Sequence, residues 1–578
     1  MKGMLKQTGN ELIKIWRQLG YRVLLFVIAG LMLAAPLLNF LFGRLVSNDS
    51  SPSWPEYSED NVWDIYANTQ KIYRYTFFEE NGLQSWKQKL YSDLLVNYAI
   101  RAKGLELIVN GRFKKSEVVG CFSVRPEDIC ELSSSEVGDG YYYDNEWIAA
   151  HYSEEKAKKS YNEALAELGK FSTKVIGMTE QDAMREYLDA AEMSLSNADT
   201  ALAAAKSLYD SKKTEENRLA LDSAQKAYEL QLMITEGWRF AFENKREPLG
   251  WEHTLLSKVM PMAAQRLLSS MPVSKSEYEQ NPGTMEIFNT AIPYETYVRN
   301  AKRDVAYYEE AIRVYHTAIL KNAPLSEIES VSTKGGIRGT LMSFINLMSI
   351  FMVVLVAGII SSEFSSGTVR LLLIRPRSRV QIISAKLLAS LIVYAGSVAA
   401  MTLLLSAEHL VLFGIGDFFT GDAVALFGAT FVIPGFLMLL GKIFVASLPV
   451  LLYMSIAAVM AVLTRKNAVS TIVALIAYIS SVTVKGVLYL VINMLPNVAR
   501  WLVYTPLAYT DLPGTVSSAV TIASVYGQQN SIGGVIGGMI DLVSSGASLG
   551  LGIFYYIAGI VLFTFLTLLI FKKKQIKN

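Results

Sequence analysis

The chain has 578 residues, of which 51% are hydrophobic and only 18% are charged, and its mean hydropathy is +0.28. Soluble domains are usually about a quarter charged, so this composition excludes an ordinary soluble protein. The apolar excess lies at the N-terminal edge and in the C-terminal half, whereas residues 45–335 have the composition of a water-soluble domain. The net charge of +2 points to no charged partner, and we expect no nucleic-acid binding.

The first apolar segment, residues 23–44, follows a basic N-terminus at residues 1–22. Crossing a bilayer takes roughly 20 apolar residues. The apolar run is longer than the core of a usual signal peptide, and no small-x-small cleavage site follows it. We therefore predict a retained first transmembrane helix.

Residues 45–335 predict one large, mainly helical domain between the first and second spans. In residues 153–247, apolar residues recur at steps of three and four, which is typical of long amphipathic helices. We predict a helical hairpin there that turns near residues 211–214. Residues 298–320 predict a further helix.

The two cysteines of the chain, Cys121 and Cys130, both fall in this domain. If the domain lies outside the cytoplasm, they could form a disulfide bond. The alternative is two free thiols in a small fold, because sequence spacing alone does not define disulfide geometry.

Five further apolar segments predict spans two to six, which makes the chain a polytopic α-helical membrane protein with six transmembrane helices. These segments are residues 339–362, 387–407, 443–463, 468–495 and 549–571. Lysine and arginine cluster before the first span, between the second and third, between the fourth and fifth, and after the sixth. Since basic residues collect on the cytoplasmic side, both termini are predicted to be cytoplasmic and residues 45–335 to lie outside, in a cell-membrane protein.

Two other apolar segments do not fit as full spans. Counting residues 423–441 as a span would invert all later loops, so we interpret this segment as an interfacial or re-entrant helix on the outer side. Residues 512–548, rich in Gly, Ser and Val, are predicted to be re-entrant as well. Such backbone is tolerated at membrane depth only where protein or water satisfies it.

Lys485 lies late in the fifth predicted span. One interpretation is that its ammonium group reaches the outer interface along the bilayer. The other is that it lines a substrate pathway, because ionisable residues at membrane depth are candidates for function.

The chain lacks the motifs of nucleotide and metal chemistry. It has no G-x-x-x-x-G-K-[ST] phosphate loop. Its four histidines, His151, His253, His316 and His409, form neither an H-E-x-x-H motif nor a Cys/His ligand set. We therefore predict no cofactor, no metal site and no enzymatic activity in this chain itself.

The loop between the second and third predicted spans, residues 363–386, forms a short cationic elbow. A glutamate ends the apolar segment, a Gly-Thr pair permits a tight turn, and a proline breaks the helix before a serine suited to an N-cap. The elbow residues that we single out are Glu363, Gly367, Thr368, Arg370, Arg375, Pro376, Ser378, Arg379 and Lys386. By these features alone, the elbow could be the basic inner loop of any membrane protein.

The elbow residues follow the pattern E-x-x-x-G-T…LL…P-x-S-R…K, with Leu372 and Leu373 as its leucine pair. This pattern resembles the signature between the second and third spans of type-2 exporter permeases of the ATP-binding-cassette (ABC) class. The six spans, the short outer helices before the last span and the turn at residues 464–467 are also similar. The resemblance covers residues 1–44 and 336–578.

The resemblance implies that the chain is the membrane permease of an exporter for a peptide, lipid-like or drug-like substrate. It implies that a separate cytoplasmic ATPase dimer, which binds ATP and Mg²⁺, docks on the elbow and drives the spans. Two ATPases imply two permease halves, either a homodimer or a heterodimer with a similar permease, in contact with membrane lipid.

The domain at residues 45–335 departs from the pattern, because most such permeases have a short first outer loop. An alternative is therefore a non-transporting scaffold or receptor, associated with secretion, that acts through this domain. A secondary transporter is less well supported, because Lys485 is nearly alone among the spans as an ionisable residue.

Overall fold

The computed structural model of the chain describes most of its residues. These are residues 2–47, 60–122, 124–131, 145–280, 282, 284–285, 290–291, 293–325, 333–365, 378–414, 418–426, 429–494, 506 and 549–573. The chain divides into two compact units, each described separately below. The larger unit contains Met1–Leu45, Leu188–Asn244 and Gly250–Asn578, and the smaller contains Val46–Tyr187 and Lys245–Leu249.

Two helices begin the chain. Helix α1, Lys2–Arg17, is amphipathic, with basic residues in its last turn, and α2 runs from Leu19 to Ser47. The stretch Leu19–Leu38 of α2 is long and apolar enough to cross a membrane. The helix thus starts before the predicted limit of 23–44.

The smaller unit is built from helices and a few turns. Its elements are α3 (Val62–Lys71), a π-helical turn (Ile72–Thr76), α4 (Phe77–Glu80), α5 (Ser85–Val109), α6 (Lys115–Cys121), α7 (Pro126–Ile129), α8 (Asn145–His151) and α9 (Glu154–Gly177). Helix α5 is buried along much of its length and packs against α9. Leu95, Leu105 and Phe122 are completely buried in the core.

Helices α10 (Glu180–Ser211) and α11 (Glu215–Glu243) are two long helices of 32 and 29 residues. They run antiparallel: the side chains of Gln231 and Thr235 donate hydrogen bonds to the carbonyl oxygen of Ala191, at 3.3 and 3.2 Å. Residues 212–214 join the two helices, and the Thr214 hydroxyl accepts from the backbone N–H of Asn217 to cap α11. The boundary between the two units falls within α10.

The larger unit continues with short elements and one long helix. They are α12 (Trp251–Thr254), a π-helical turn (Leu255–Val259), α13 (Met260–Ser269), α14 (Lys275–Gln280), the paired strands β1 (Thr284–Met285) and β2 (Thr290–Ala291), and α15 (Tyr294–Leu320). Helix α15 packs against α11 and α13.

The C-terminal half consists mainly of long apolar helices. They are α16 (Thr333–Ser365), α17 (Arg379–Phe413), α18 (Gly435–Thr464), α19 (Asn467–Met494) and α20 (Leu549–Lys573). In the described part of the chain, five segments are long and apolar enough to cross a membrane: one each in α2, α16, α17, α18 and α20. The predicted fifth span, residues 468–495, falls on α19, for which only 467–480 has described side chains, so six spans stay a prediction.

Helix α16 is at the centre of this bundle and packs against α17, α18 and α19. Phe344, Phe351 and Leu355 of α16 are almost fully buried. Helix α18 in turn packs against α19 and α20. A helix that is apolar all round is either buried in protein or surrounded by lipid, and α16 is the most buried of the span candidates.

The prediction of an interfacial or re-entrant helix at residues 423–441 is wrong. The structure has an antiparallel hairpin of β3 (Gly421–Leu426) and β4 (Ala429–Pro434), and α18 begins directly after it at Gly435. A short apolar run does not distinguish a strand from a helix by periodicity, and β4 is rich in the β-branched and aromatic residues that favour strands. Residues 512–548 lie outside the described residues.

The β3–β4 hairpin is tied to the rest of the larger unit by polar side chains. Thr317 of α15 donates a hydrogen bond to the hydroxyl of Thr430, at 2.8 Å. Arg338 of α16 forms a two-pronged ion pair with Asp422 of β3, at 2.8 Å for the Nη1–Oδ1 contact, and also donates to the carbonyl oxygen of Gly435. Arg338 and Asp422 are 7% and 6% exposed, so a buried ion pair joins the hairpin to α16.

Candidate coupling site

The end of the bundle next to the elbow is organised around one buried lysine, Lys386. It lies in α17, the helix that follows the elbow, and its Nζ donates a hydrogen bond to Glu11 of α1, at 3.1 Å. The same Nζ donates to the carbonyl oxygen of Ile359 in α16, at 3.2 Å. Lys386 therefore links three helices, the N-terminal helix and the helices on both sides of the elbow.

Glu11 faces two cations. Besides Lys386 it accepts a hydrogen bond from Lys14, one turn further along α1, at 2.9 Å. Burial by itself opposes ionisation of the Glu11 carboxyl, but the charges of Lys386 and Lys14 outweigh it and lower the pKa of Glu11 below its ordinary 4.5. Glu11 is thus ionised at neutral pH and compensates the buried ammonium group.

Another helix contact, which joins α2 to α16, lies close to Lys386. Gly358 of α16 faces the hydroxyl of Tyr21, and a Cβ atom at position 358 would overlap Tyr21 Oη. The Tyr21 ring also packs edge-to-face on Phe351, with 6.3 Å between the ring centroids. The absent side chain at position 358 therefore lets the start of α2 lie directly against α16.

The helix after the elbow begins with a side-chain cap. Ser378 has extended backbone angles, and its Oγ accepts a hydrogen bond from the backbone N–H of Gln381, at 3.3 Å. Such caps satisfy one of the free N–H groups at a helix start. Helix α17 consequently starts at Arg379, eight residues before the predicted span of 387–407, and Lys386 is inside the helix.

The turn between α18 and α19 lies next to the C-terminal end of α16, where the elbow begins. Arg465 has a positive φ of 57°, and the Thr464 hydroxyl accepts from the backbone N–H of Lys466, at 3.4 Å. The Arg465 guanidinium stands 5.8 Å from the centre of the Phe364 ring, at the end of α16. Phe364 in turn contacts Phe571 of α20 edge-to-face.

The structure locates only some of the predicted elbow residues. Glu363 is part of α16, but the structure describes only its backbone. Five lie outside the described residues, namely Gly367, Thr368, Arg370, Arg375 and Pro376. Ser378 is exposed at the start of α17, Arg379 is half-buried, and Lys386 is only 2% exposed. Lys386 therefore belongs to the packing behind the elbow, not to its accessible surface.

The remaining predicted positions belong to other parts of the chain. Lys485 is part of α19, of which the structure describes the backbone at that point. Cys121 and Cys130 are buried in the smaller unit as free thiols, and burial raises the pKa of both. In the part of the chain that the structure describes, no three His, Cys, Asp or Glu side chains are grouped to hold a metal ion.

Three residues of this site were not predicted from the sequence: Glu11, Tyr21 and Gly358. A signal for Glu11 exists, because it is the single acidic residue among the basic residues of positions 1–22. No local pattern indicates that it would pair with a lysine 375 positions away. The contact of Tyr21 with Gly358 likewise arises only when the two helices meet.

Comparison with known protein families finds a match. The family model described as ABC-2 family transporter protein matches residues 171–576, which is more than half of the chain. The match includes α16–α20, and it also includes α10, α11 and α15, which precede the second apolar segment. No curated protein and no solved structure matches the chain.

Proposed function

Because the chain belongs to the ABC-2 family of transporter proteins, and is thus a multi-pass membrane permease subunit of an ABC transporter and not its nucleotide-binding subunit, we propose that it exports its substrate with the help of a separate ATPase. The substrate that we propose is a peptide, lipid-like or drug-like molecule. The family match extends into the domain before the second span, which supports a role of that domain in the transporter.

The single observation that carries the proposed mechanism is the position of Lys386. The partner ATPase dimer, with ATP and Mg²⁺ bound, docks on the elbow at residues 363–386 and pulls it when the dimer closes. Lys386 lies seven residues into the capped helix α17 and is bonded to α1 and α16. Movement of the elbow is therefore passed to three helices at once. This coupling requires that the transporter has two conformations that bind nucleotide and substrate with different affinities.

Two ATPase subunits require two permease halves. We propose that the chain forms a homodimer or a heterodimer with a similar permease, since closed twofold symmetry is the commonest arrangement of such assemblies. The proposed orientation places both termini in the cytoplasm and the domain at 45–335 outside the cell membrane. The basic residues at both ends of the chain, in the last turns of α1 and α20, support this orientation.

The orientation is tested with single cysteines in a variant whose buried Cys121 and Cys130 are replaced by alanine. Ser211 is exposed at the tip of the α10–α11 hairpin, and Lys573 is exposed at the end of α20. The two labelling variants are therefore Ser211→Cys and Lys573→Cys. On intact cells, a membrane-impermeant maleimide should label position 211 and not position 573. Labelling of position 573 on intact cells would overturn the proposed orientation.

The partner is tested by purifying the intact protein in detergent from its own membranes and identifying the bound proteins by mass spectrometry. The same purification is repeated with Arg375→Glu/Arg379→Glu, and with Lys572→Glu/Lys573→Glu as a matched control with the same charge change. A P-loop ATPase should accompany the wild type and the control and be lost from the elbow variant.

The outcomes separate the two parts of the proposal. Absence of a P-loop ATPase from a folded wild-type preparation contradicts the ATPase-driven exporter. If the elbow variant retains the ATPase as well as the wild type does, the proposal of an ATPase-driven exporter is kept. The proposal that the ATPase docks on the elbow is then contradicted.

A further inference from the structure

A large apolar groove lies on the flank of the bundle, between α1, α2, α16 and α17 of the larger unit. Its volume is about 890 Å³, which is within the range of roughly 300–1,000 Å³ that is typical of ligand sites. Leu25 and Leu33 of α2, Phe344 of α16, and Ala400 and Leu404 of α17 are among the side chains that line it. The groove opens on the side of the bundle that α2 and α17 leave exposed.

One end of the groove is cationic. Arg17, at the end of α1, and Arg22, near the start of α2, both line it, together with Trp16. None of the described lining residues is acidic. Glu11, the acidic residue of this region, is already paired with Lys386 and Lys14. The groove thus combines a positively charged end with walls of hydrocarbon.

The length of the groove matches one membrane leaflet. From Arg22 to Leu33 it follows α2 for about 16 Å, at 1.5 Å of helix rise per residue. The hydrocarbon core of a bilayer is about 30 Å thick, so this distance is about half of it. Trp16 is 57% exposed beside the arginines, and exposed tryptophans are typical of the boundary between hydrocarbon and headgroups.

We propose that this groove binds an anionic phospholipid. The acyl chains lie along α2, α16 and α17, and the phosphate and its anionic headgroup pair with Arg17 and Arg22. An apolar tail and a net negative head joined in one molecule are complementary to both parts of the groove. In a zwitterionic phospholipid the ammonium group offsets the charge of the phosphate, so its headgroup is attracted less strongly by the two arginines. The bound lipid fills the space between the N-terminal helices and the bundle next to the Lys386 site.

Two glycines allow the groove to be filled without disturbing the protein. Gly30 of α2 and Gly396 of α17 line it, and a Cβ atom added at either position meets no atom within 4 Å. Gly441 of α18 has the same free space but does not line the groove. Gly30→Leu/Gly396→Leu therefore blocks the site, and Gly441→Leu is its matched control.

The experiment is native mass spectrometry of the intact protein purified in detergent, titrated with phosphatidylglycerol and, separately, with phosphatidylcholine of the same acyl chains. The wild type should retain phosphatidylglycerol in preference to phosphatidylcholine. Arg17→Gln/Arg22→Gln should bind phosphatidylglycerol roughly 30-fold more weakly, as expected for the loss of two cations at a membrane surface. The control for charge is Lys572→Gln/Lys573→Gln, which should bind like the wild type.

The blocked variant distinguishes the groove from other lipid-facing surfaces. Gly30→Leu/Gly396→Leu should lose the preferred phosphatidylglycerol, and Gly441→Leu should keep it. Equal binding of the two lipids by the wild type overturns the proposal. Retention of phosphatidylglycerol by the blocked variant also overturns it, even if the arginine variant binds weakly, because the cations would then act outside the groove.

Discussion

Lys386 and Glu11 form an ion pair between the helix that follows the elbow and the N-terminal helix, with 3.1 Å between Nζ and Oε2. Their side chains are only 2% and 5% exposed. Removing one partner of a buried pair leaves an uncompensated charge, which typically costs about 3–5 kcal/mol. Glu11→Leu should therefore lower the free energy of unfolding by about this amount, measured by thermal unfolding in detergent.

Lys14→Met is the control for this prediction, because Lys14 contacts the same carboxylate from an exposed position. It should cost less than about 1 kcal/mol. The double variant Glu11→Leu/Lys386→Met should recover part of the loss, since no charge then remains unpaired. A cost for Glu11→Leu as small as that for Lys14→Met would show that the buried pair does not hold α1 on the bundle.

The contact between Gly358 and Tyr21 predicts that the stability lost in Gly358→Ala is restored by Tyr21→Phe. Gly358→Ala places a methyl group against Tyr21 Oη and should destabilise the protein by about 1–3 kcal/mol, the usual cost of overpacking. Tyr21→Phe removes only the hydroxyl, and the ring carbon that carries it is at an ordinary contact distance of 3.5 Å from the added methyl. The double variant Gly358→Ala/Tyr21→Phe should therefore unfold near the wild-type temperature.

Gly339→Ala tests the same helix at a position where an added Cβ meets no atom within 4 Å. It should leave the unfolding temperature unchanged or raise it slightly, because alanine favours a helix over glycine. Failure of Tyr21→Phe to rescue Gly358→Ala would mean that the glycine serves another purpose than this contact.

The Arg338–Asp422 pair predicts a second site of strong destabilisation. Asp422→Asn removes the charge from a buried, two-pronged pair and should lower the free energy of unfolding by about 3–5 kcal/mol. The exposed pair of Arg239 with Glu192 is the comparison. Glu192→Gln should cost about 1 kcal/mol or less, and equal effects of the two variants in chemical unfolding would contradict the anchoring role of Asp422.

His253 predicts a loss of stability in mild acid. Burial lowers the pKa of His253 from 6.5 to about 4. The unfolded chain therefore binds a proton below pH 6.5 that the folded chain excludes until about pH 4. The contribution of His253 to stability is complete above pH 6.5 and is lost between pH 6.5 and about 4, with a slope of at most about 1.4 kcal/mol per pH unit.

This prediction is checked by thermal unfolding at a series of pH values between 4 and 7.5. His253→Leu should flatten the curve relative to the wild type. Burial also lowers the pKa of His316, despite its contact with Glu236, so part of the slope should survive in the His253 variant. Parallel curves for the wild type and His253→Leu would contradict the prediction.

The local sequence was enough to predict most of the helices. Apolar runs of about 20 residues predict helices because unpaired backbone groups are too costly in hydrocarbon, and α16, α17, α18 and α20 contain the predicted segments. The amphipathic spacing before the second span corresponds to α9–α11. The signature at the elbow predicted the family, and the family match confirms that prediction.

Local sequence was not enough at residues 423–441. The same apolar residues suit a lipid-facing helix or a strand, and the choice depends on what they pack against. In the structure, Ala423 packs with Val314 and Ala318 of α15, and Arg338 fixes Asp422 from α16. These contacts join residues that are 84 or more positions apart and therefore leave no local signal.

The sequence by itself determined that this is a multi-pass membrane permease subunit of the ABC-2 family, because hydropathy and the elbow signature are properties of neighbouring residues. Only the tertiary structure decided that buried Lys386 pairs with Glu11 and that Gly358 contacts the Tyr21 hydroxyl. It also decided that Arg17 and Arg22 line one end of an apolar groove whose walls include α16 and α17. The physical reason is that burial and charge pairing depend on which helix faces meet. That is decided by packing over the whole chain and not by any stretch of it.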